Sequence, residues 1–240
     1  MTTSLRSSTS TPGPVISNDM SSTMRNIPLV AFFILACSGC TIPTLTNPLV
    51  TPSDAKAFPK LHGVYRTTDC PDNIVHYAHV GPAGDDYPDG FLRIISVSQP
   101  KDSKTALDSE SYVGFVEQIG LHYVLHIPLS KTLKHDDQRT IWNEKWDAKD
   151  VGGYMVVRFT AGPDGIEMSD LNDDFIAEQV ASKNLNGRVT QKVVERNGVT
   201  EIRKRTITIT ADSQELREFF KRHIDGKLFN KPYWKFTRIK

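Results

Sequence analysis

What most constrains this fold is an alternation of apolar and mixed side chains with a period of two, which recurs from about residue 63 to the end of the chain. It is clearest where Met155, Val157 and Phe159 alternate with Tyr154, Val156 and Arg158. Successive side chains of a strand point to opposite faces, so this pattern predicts a half-buried strand. The turn residues Gly162, Pro163, Asp164 and Gly165 then lead to Ile166 and Met168 as its hairpin partner. Further strands are predicted over Gly63 to Thr67, Ile74 to Val80, Phe91 to Val97, Tyr112 to Ile119, Leu121 to Ile127 and Tyr233 to Ile239. Asn197 and Gly198, set between two β-rich runs, supply the positive φ angles that a tight type I′ hairpin needs.

Two helices interrupt the strands. Asp212, Ser213, Gln214 and Glu215 form a capping-box-like start, after which Leu216, Phe219, Phe220 and His223 or Ile224 follow at helical spacing. From Asp173 to Ser182, Phe175, Ile176 and Val180 share one side, and acidic residues occupy the first turn, where the helix dipole favours them. The expected class is mainly β, of the α+β kind: a single antiparallel β-sheet or a partly open barrel with two short helices.

Of 240 residues, 38% are hydrophobic and 24% charged, an ordinary globular balance. Residues 61–240 are enough for one core, hence one β-rich domain. Residues 41–60 carry Pro43, Pro48, Pro52 and Pro59 among Thr and Ser, which predicts an extended, solvated tether. Residues 1–23 are rich in Ser, Thr and Pro and are expected to be a disordered extension, with translation starting at Met20 or Met24.

The apolar run from Ile27 to Ala36 is ten residues, about 15 Å as a helix, whereas a bilayer core takes roughly 20 residues. The stretch MRNIPLVAFFILACSGC, Met24 to Cys40, resembles the signal peptide of a bacterial lipoprotein: a basic start, an apolar core, then small residues before cysteine. Cys37 follows Ile34, Leu35 and Ala36. Cys40 follows Ser38 and Gly39, and is the favoured lipidation site, with Cys37 the alternative. The resemblance implies export and a lipid anchor in the cell envelope. With Thr41 or Ser38 rather than aspartate after the cysteine, it implies the outer membrane, facing the periplasm. An anchor on Cys40 leaves Cys70 as a single thiol, whereas an anchor on Cys37 leaves Cys40 and Cys70 free to form a disulfide. The segments GGYMVVRF and TADSQELREFFKRH, with Leu228 and Phe229 beyond, are similar to endings of uncharacterised bacterial lipoproteins, a resemblance that implies no activity.

No G-x-S-x-G elbow, Walker A loop, dinucleotide fingerprint or H-E-x-x-H motif occurs. His122 and His126 would sit on one strand face, about 13 Å apart, too far to share an ion, and His76 and His79 would face opposite sides. The loop Asp85 to Gly90 lacks the oxygen ligands of an EF-hand, with Tyr87 at one such position. No catalytic residue, metal or cofactor is therefore expected, and the expected role is non-enzymatic binding or structural association. The alternative is a lipocalin-like carrier whose barrel is lined by aromatics such as Tyr112, Phe115, Tyr123 and Phe159. Charge is uneven: residues 136–182 carry 4 basic and 11 acidic side chains, residues 183–240 carry 15 and 6. Either the two regions neutralise each other within the sheet, or Arg188, Lys192, Arg196, Arg203 and Arg205 form a basic face for an envelope protein, glycan or anionic lipid. Nucleic acid is not an expected partner of an exported protein.

Overall fold

The structure, a computed structural model, describes residues 42–67, 74–100, 108–130, 147–196, 199–232 and 234–239. The signal-like segment, the extension before it, Cys37, Cys40, Cys70 and the Asn197–Gly198 turn lie outside these residues. Among the described residues there are eleven strands: β1 (Thr44–Leu45), β2 (Gly63–Thr67), β3 (Ile74–Pro82), β4 (Phe91–Pro100), β5 (Asp108–Ile119), β6 (His122–Ser130), β7 (Val151–Ala161), β8 (Gly165–Asp170), β9 (Gly187–Arg196), β10 (Val199–Ile209) and β11 (Trp234–Arg238). The described α-helices are α1 (Asp173–Ala181) and α2 (Ser213–His223).

Eight of these strands close a barrel. Strands β2 through β8 pair in sequence order as an antiparallel meander with β6 bonded to β7, and β11 inserts between β8 and β2 to complete the ring. The sheet is thus shut rather than partly open. Closure removes the unpaired edges that an open sheet leaves exposed. Gly165 permits the final seam: a Cβ there would lie 1.8 Å from the Phe236 carbonyl oxygen of β11.

The alternation sorts side chains into two cores. Leu125, Ile127, Met155, Val157, Phe159, Ile166 and Phe236 point into the barrel. On the outside, Phe115, Val124, Tyr154 and Val156 pack beneath the helices against Ile176, Leu216, Phe219 and Phe220. Strands β5 to β7 are therefore buried on both faces, and their apolar runs have little polar interruption. The covering layer consists of α1, α2 and the β9–β10 hairpin, and it joins the barrel through β1, which pairs parallel with β10 and antiparallel with β7.

Local chemistry sets the helix starts. The Asn172 side chain accepts from Phe175 N at 3.1 Å, and Asp212 accepts from Glu215 N at 2.8 Å. Glu215 does not complete a capping box. Its carboxylate instead receives the backbone and side-chain N–H groups of Asn186 at 3.0 and 2.7 Å, tying α2 to the start of β9.

The Pro-rich stretch departs from the solvated tether expected of it. Leu45 and Leu49 are 0% and 1% exposed, and Ala55 is buried with them in the outer core. Thr46 N donates to Ile209 O at 2.8 Å, and Asn47 Nδ2 to Ala211 O at 3.0 Å. Pro52 and Pro59 open short 3-10 turns at Pro52–Asp54 and Pro59–Leu61. Burial of a few well-spaced leucines has outweighed composition.

Candidate functional site

The barrel interior is the best-formed candidate. An eight-stranded barrel leaves an interior just wide enough for side chains to fill, and here they fill one end. Leu61 and Tyr65 enter from the segment before β2 and from β2 itself, with the Tyr65 hydroxyl donating to Leu61 O at 2.8 Å. Phe58 meets Tyr123 edge-on at 5.5 Å. Lys60 lies over the Tyr123 ring, and Arg238 lies over Tyr65 while donating to its hydroxyl at 2.6 Å. That end is plugged.

The middle is not filled. A cavity of about 70 Å³ remains between Ile94, Ser96, Tyr112, Met155, Val157 and Met168, with Ala78, Phe159 and Phe236 among the other walls. Its walls are almost wholly apolar. Of the four aromatics expected to line such a space, Tyr112 and Phe159 do so. Tyr123 points inward but belongs to the plug, and Phe115 points outward, where its ring stacks on His126 at 5.0 Å and 7°. Tyr112 and Phe115 have opposite parity on β5, so one face cannot hold both.

Beyond the cavity the wall turns polar. Thr67 on β2, His76 on β3 and Ser98 on β4 form one buried rung: His76 N donates to Thr67 Oγ1 at 3.1 Å, and His76 Nδ1 lies 3.0 Å from Ser98 Oγ. Ser96, one inward position nearer the cavity, is 1% exposed, and its Oγ has no hydrogen-bond partner. The period-two pattern could have pointed to this cluster, because Ser96, Ser98 and His76 fall on the parity of Ile94 and Ala78.

Outside the barrel, a groove of about 920 Å³ runs between residues 49–58, the end of β5 and α2. Glu117 sits in it with Oε1 2.8 Å from Arg217 Nε. Burial raises the Glu117 pKa, while the Arg217 charge opposes that shift. The sequence signal was an acid on the outward parity of Val113, Phe115 and Ile119. Elsewhere His122 Nε2 lies 2.7 Å from Asp225 Oδ1, and His122 Nδ1 lies 3.2 Å from Thr160 Oγ1. Arg158 donates to Ile224 O at 2.9 Å and to Ser169 Oγ at 3.2 Å. These contacts clamp the segment after α2 onto β6, β7 and β8. His122 and His126 share the outer face of β6 but keep separate partners, since His126 Nε2 accepts from Leu49 N at 3.2 Å.

Two of the five basic residues, Arg188 and Arg205, have described side chains. Arg205 pairs with Asp173 and, at 2.7 Å, with Asp174 at the start of α1. Register sets Arg205 opposite Gln191 and Arg188 opposite Thr208, so Arg188, which is exposed, and Arg205 lie on opposite faces of the hairpin. The side chains of Lys192, Arg196 and Arg203 lie outside the described residues. With Lys235 bonded to Glu167 at 3.1 Å, three of the described ion-pair contacts, made by two basic residues, join the basic region to the acidic one.

No family model matches this chain, and neither a curated protein nor a solved structure is significantly similar to it. The reading of the barrel therefore rests on its geometry.

Proposed function

We propose that this is a non-enzymatic, lipid-anchored protein of the bacterial cell envelope that binds a small apolar ligand inside its barrel, in the manner of a lipocalin. The observation that carries the binding reading is the apolar cavity of about 70 Å³ inside a closed barrel. Ligand pockets for drug-sized molecules run from about 300 Å³ upwards, so the ligand is small. Met155 and Met168 form part of the wall, and unbranched thioether side chains adapt to a guest more readily than branched ones. Binding is expected to raise the unfolding midpoint in the presence of n-pentane, and Ala78→Val, which adds volume to the wall, is expected to abolish the rise. No shift with the wild-type protein would remove the reading.

The anchor is supported by the resemblance of Met24 to Cys40 to lipoprotein signals. Ile42 already packs against the barrel core, so a lipid on Cys40 would leave one residue, Thr41, and at most about 7 Å of chain between the acylated cysteine and the domain. The barrel would ride on the outer membrane at its periplasmic surface, without a spacer. Acyl labelling of the full chain is expected to disappear in Cys40→Ala or Cys37→Ala. An unlabelled wild-type product in the soluble fraction would overturn the anchor.

A further inference from the structure

Within the apolar cavity one group does not fit a purely apolar guest. We infer that the ligand is a short amphiphile, an alkyl segment carrying one neutral hydrogen-bonding head, and that Ser96 Oγ is the group that receives that head. The inference rests on the reading of the cavity as a ligand site.

Ser96 lies on β4 directly opposite Ala78 of β3, in a wall whose other members here are Ile94, Val157 and Met168. It is 1% exposed, and its hydroxyl oxygen has no partner. A buried hydroxyl left unpaired is destabilising compared with an apolar group of the same shape. In the neighbouring rung, by contrast, Thr67, His76 and Ser98 are joined by hydrogen bonds. Ser96 stands apart from that rung, on the cavity side. A hydroxyl both donates and accepts, so it pairs equally with an alcohol, a carbonyl or an ester.

Charge and volume narrow the class. Among the described residues the cavity walls carry no ionisable side chain except the Tyr112 phenol, so a carboxylate or ammonium head would find no counter-charge among them, which is strongly unfavourable. The volume is roughly half that of an apolar cavity of about 150 Å³ known to admit benzene. A short alkyl chain fills it as the Met155 and Met168 side chains move aside, with its head at Ser96 and its tail between those two side chains.

The test uses the only methionines beyond residue 24, Met155 and Met168, which both line the cavity. The full chain, labelled with 13C-methyl methionine, is titrated with n-pentane, 1-butanol and butyrate. The wild-type protein is expected to shift both wall methyl signals with n-pentane and with 1-butanol, and much less with butyrate. In Ser96→Ala, affinity for 1-butanol is expected to fall by roughly fivefold to tenfold, the worth of one hydrogen bond, while affinity for n-pentane holds or rises. Equal behaviour of the two proteins towards both neutral probes would overturn the role of Ser96 and leave the cavity reading intact. Tighter binding of butyrate than of 1-butanol would overturn the neutral head. Unmoved wall methyl signals with every probe would overturn the cavity reading itself. Ser96→Cys, which keeps the shape with a weaker hydrogen-bonding group, is expected to lie between the two and guards against a folding effect of the alanine variant.

Discussion

At the scale of single residues, His126 shows how burial sets chemistry. Its ring is fully enclosed between Phe115, Tyr154 and the backbone of Leu49. Burial lowers its pKa to about 3, although the carbonyls of Phe115 and Val124 favour the proton. Above pH 6.5 the ring is neutral in both the folded and the unfolded chain. Between 6.5 and about 3 the unfolded chain takes up a proton that the folded one refuses, so stability falls as pH falls. The slope from this residue is at most about 1.4 kcal/mol per pH unit. His126→Gln, whose amide oxygen can still accept from Leu49 N, is expected to lose that slope, as chemical denaturation at pH 7 and pH 4 would show. An unchanged slope would place the acid sensitivity elsewhere. Ser96→Ala makes a second case: removing the unpaired hydroxyl should stabilise the free protein by about 1 kcal/mol, raising Tm by roughly 2–4 °C. Neither environment could be read directly from the sequence, because parity indicates a face but not whether that face is inside a barrel or beneath a helix. His126 is in the second situation and Ser96 in the first.

At the scale of elements, strands and helices follow local rules, and those parts were legible. β2 spans the predicted Gly63 to Thr67, and both helices begin at the acidic or amide caps that the sequence displays. β5 and β6 run longer than expected, to Asp108–Ile119 and His122–Ser130, since hydrogen bonding to neighbours extends a strand past its apolar pattern. The docking of residues 42–61 was not legible, because Leu45 and Leu49 are isolated among prolines and threonines and have no period. Their burial makes a definite prediction: Leu45→Ala should destabilise by about 2–5 kcal/mol, the range for emptying a closed core position, whereas a loose tether would show no change. The barrel seam is equally testable. Gly165→Ala sets a methyl against the backbone of β11, so circular dichroism and calorimetry should report loss of the cooperative transition or a large fall in its midpoint. The chain gave no hint that β11 pairs with β2, since periodicity carries no information on which distant strands become neighbours.

At the scale of the molecule, the design is a barrel with one end plugged, one flank covered by helices and a small apolar cavity above the plug. The covering layer explains why the outer face of β5 to β7 is as apolar as the inner one, since Phe219 and Phe220 of α2 share one core with Phe115 and Tyr154. A cavity costs packing energy, and it persists here between side chains able to move, Met155 and Met168, and beside a hydroxyl held without a partner. Ligand binding would offset both costs, and this is the central claim. Diffraction from xenon-pressurised crystals of the full chain tests it most directly, because xenon enters empty apolar cavities without needing a hydrogen bond. The account predicts one xenon atom bounded by Ile94, Met155, Val157 and Met168. Xenon bound only outside the barrel, with the interior contracted to continuous side-chain packing, would contradict it.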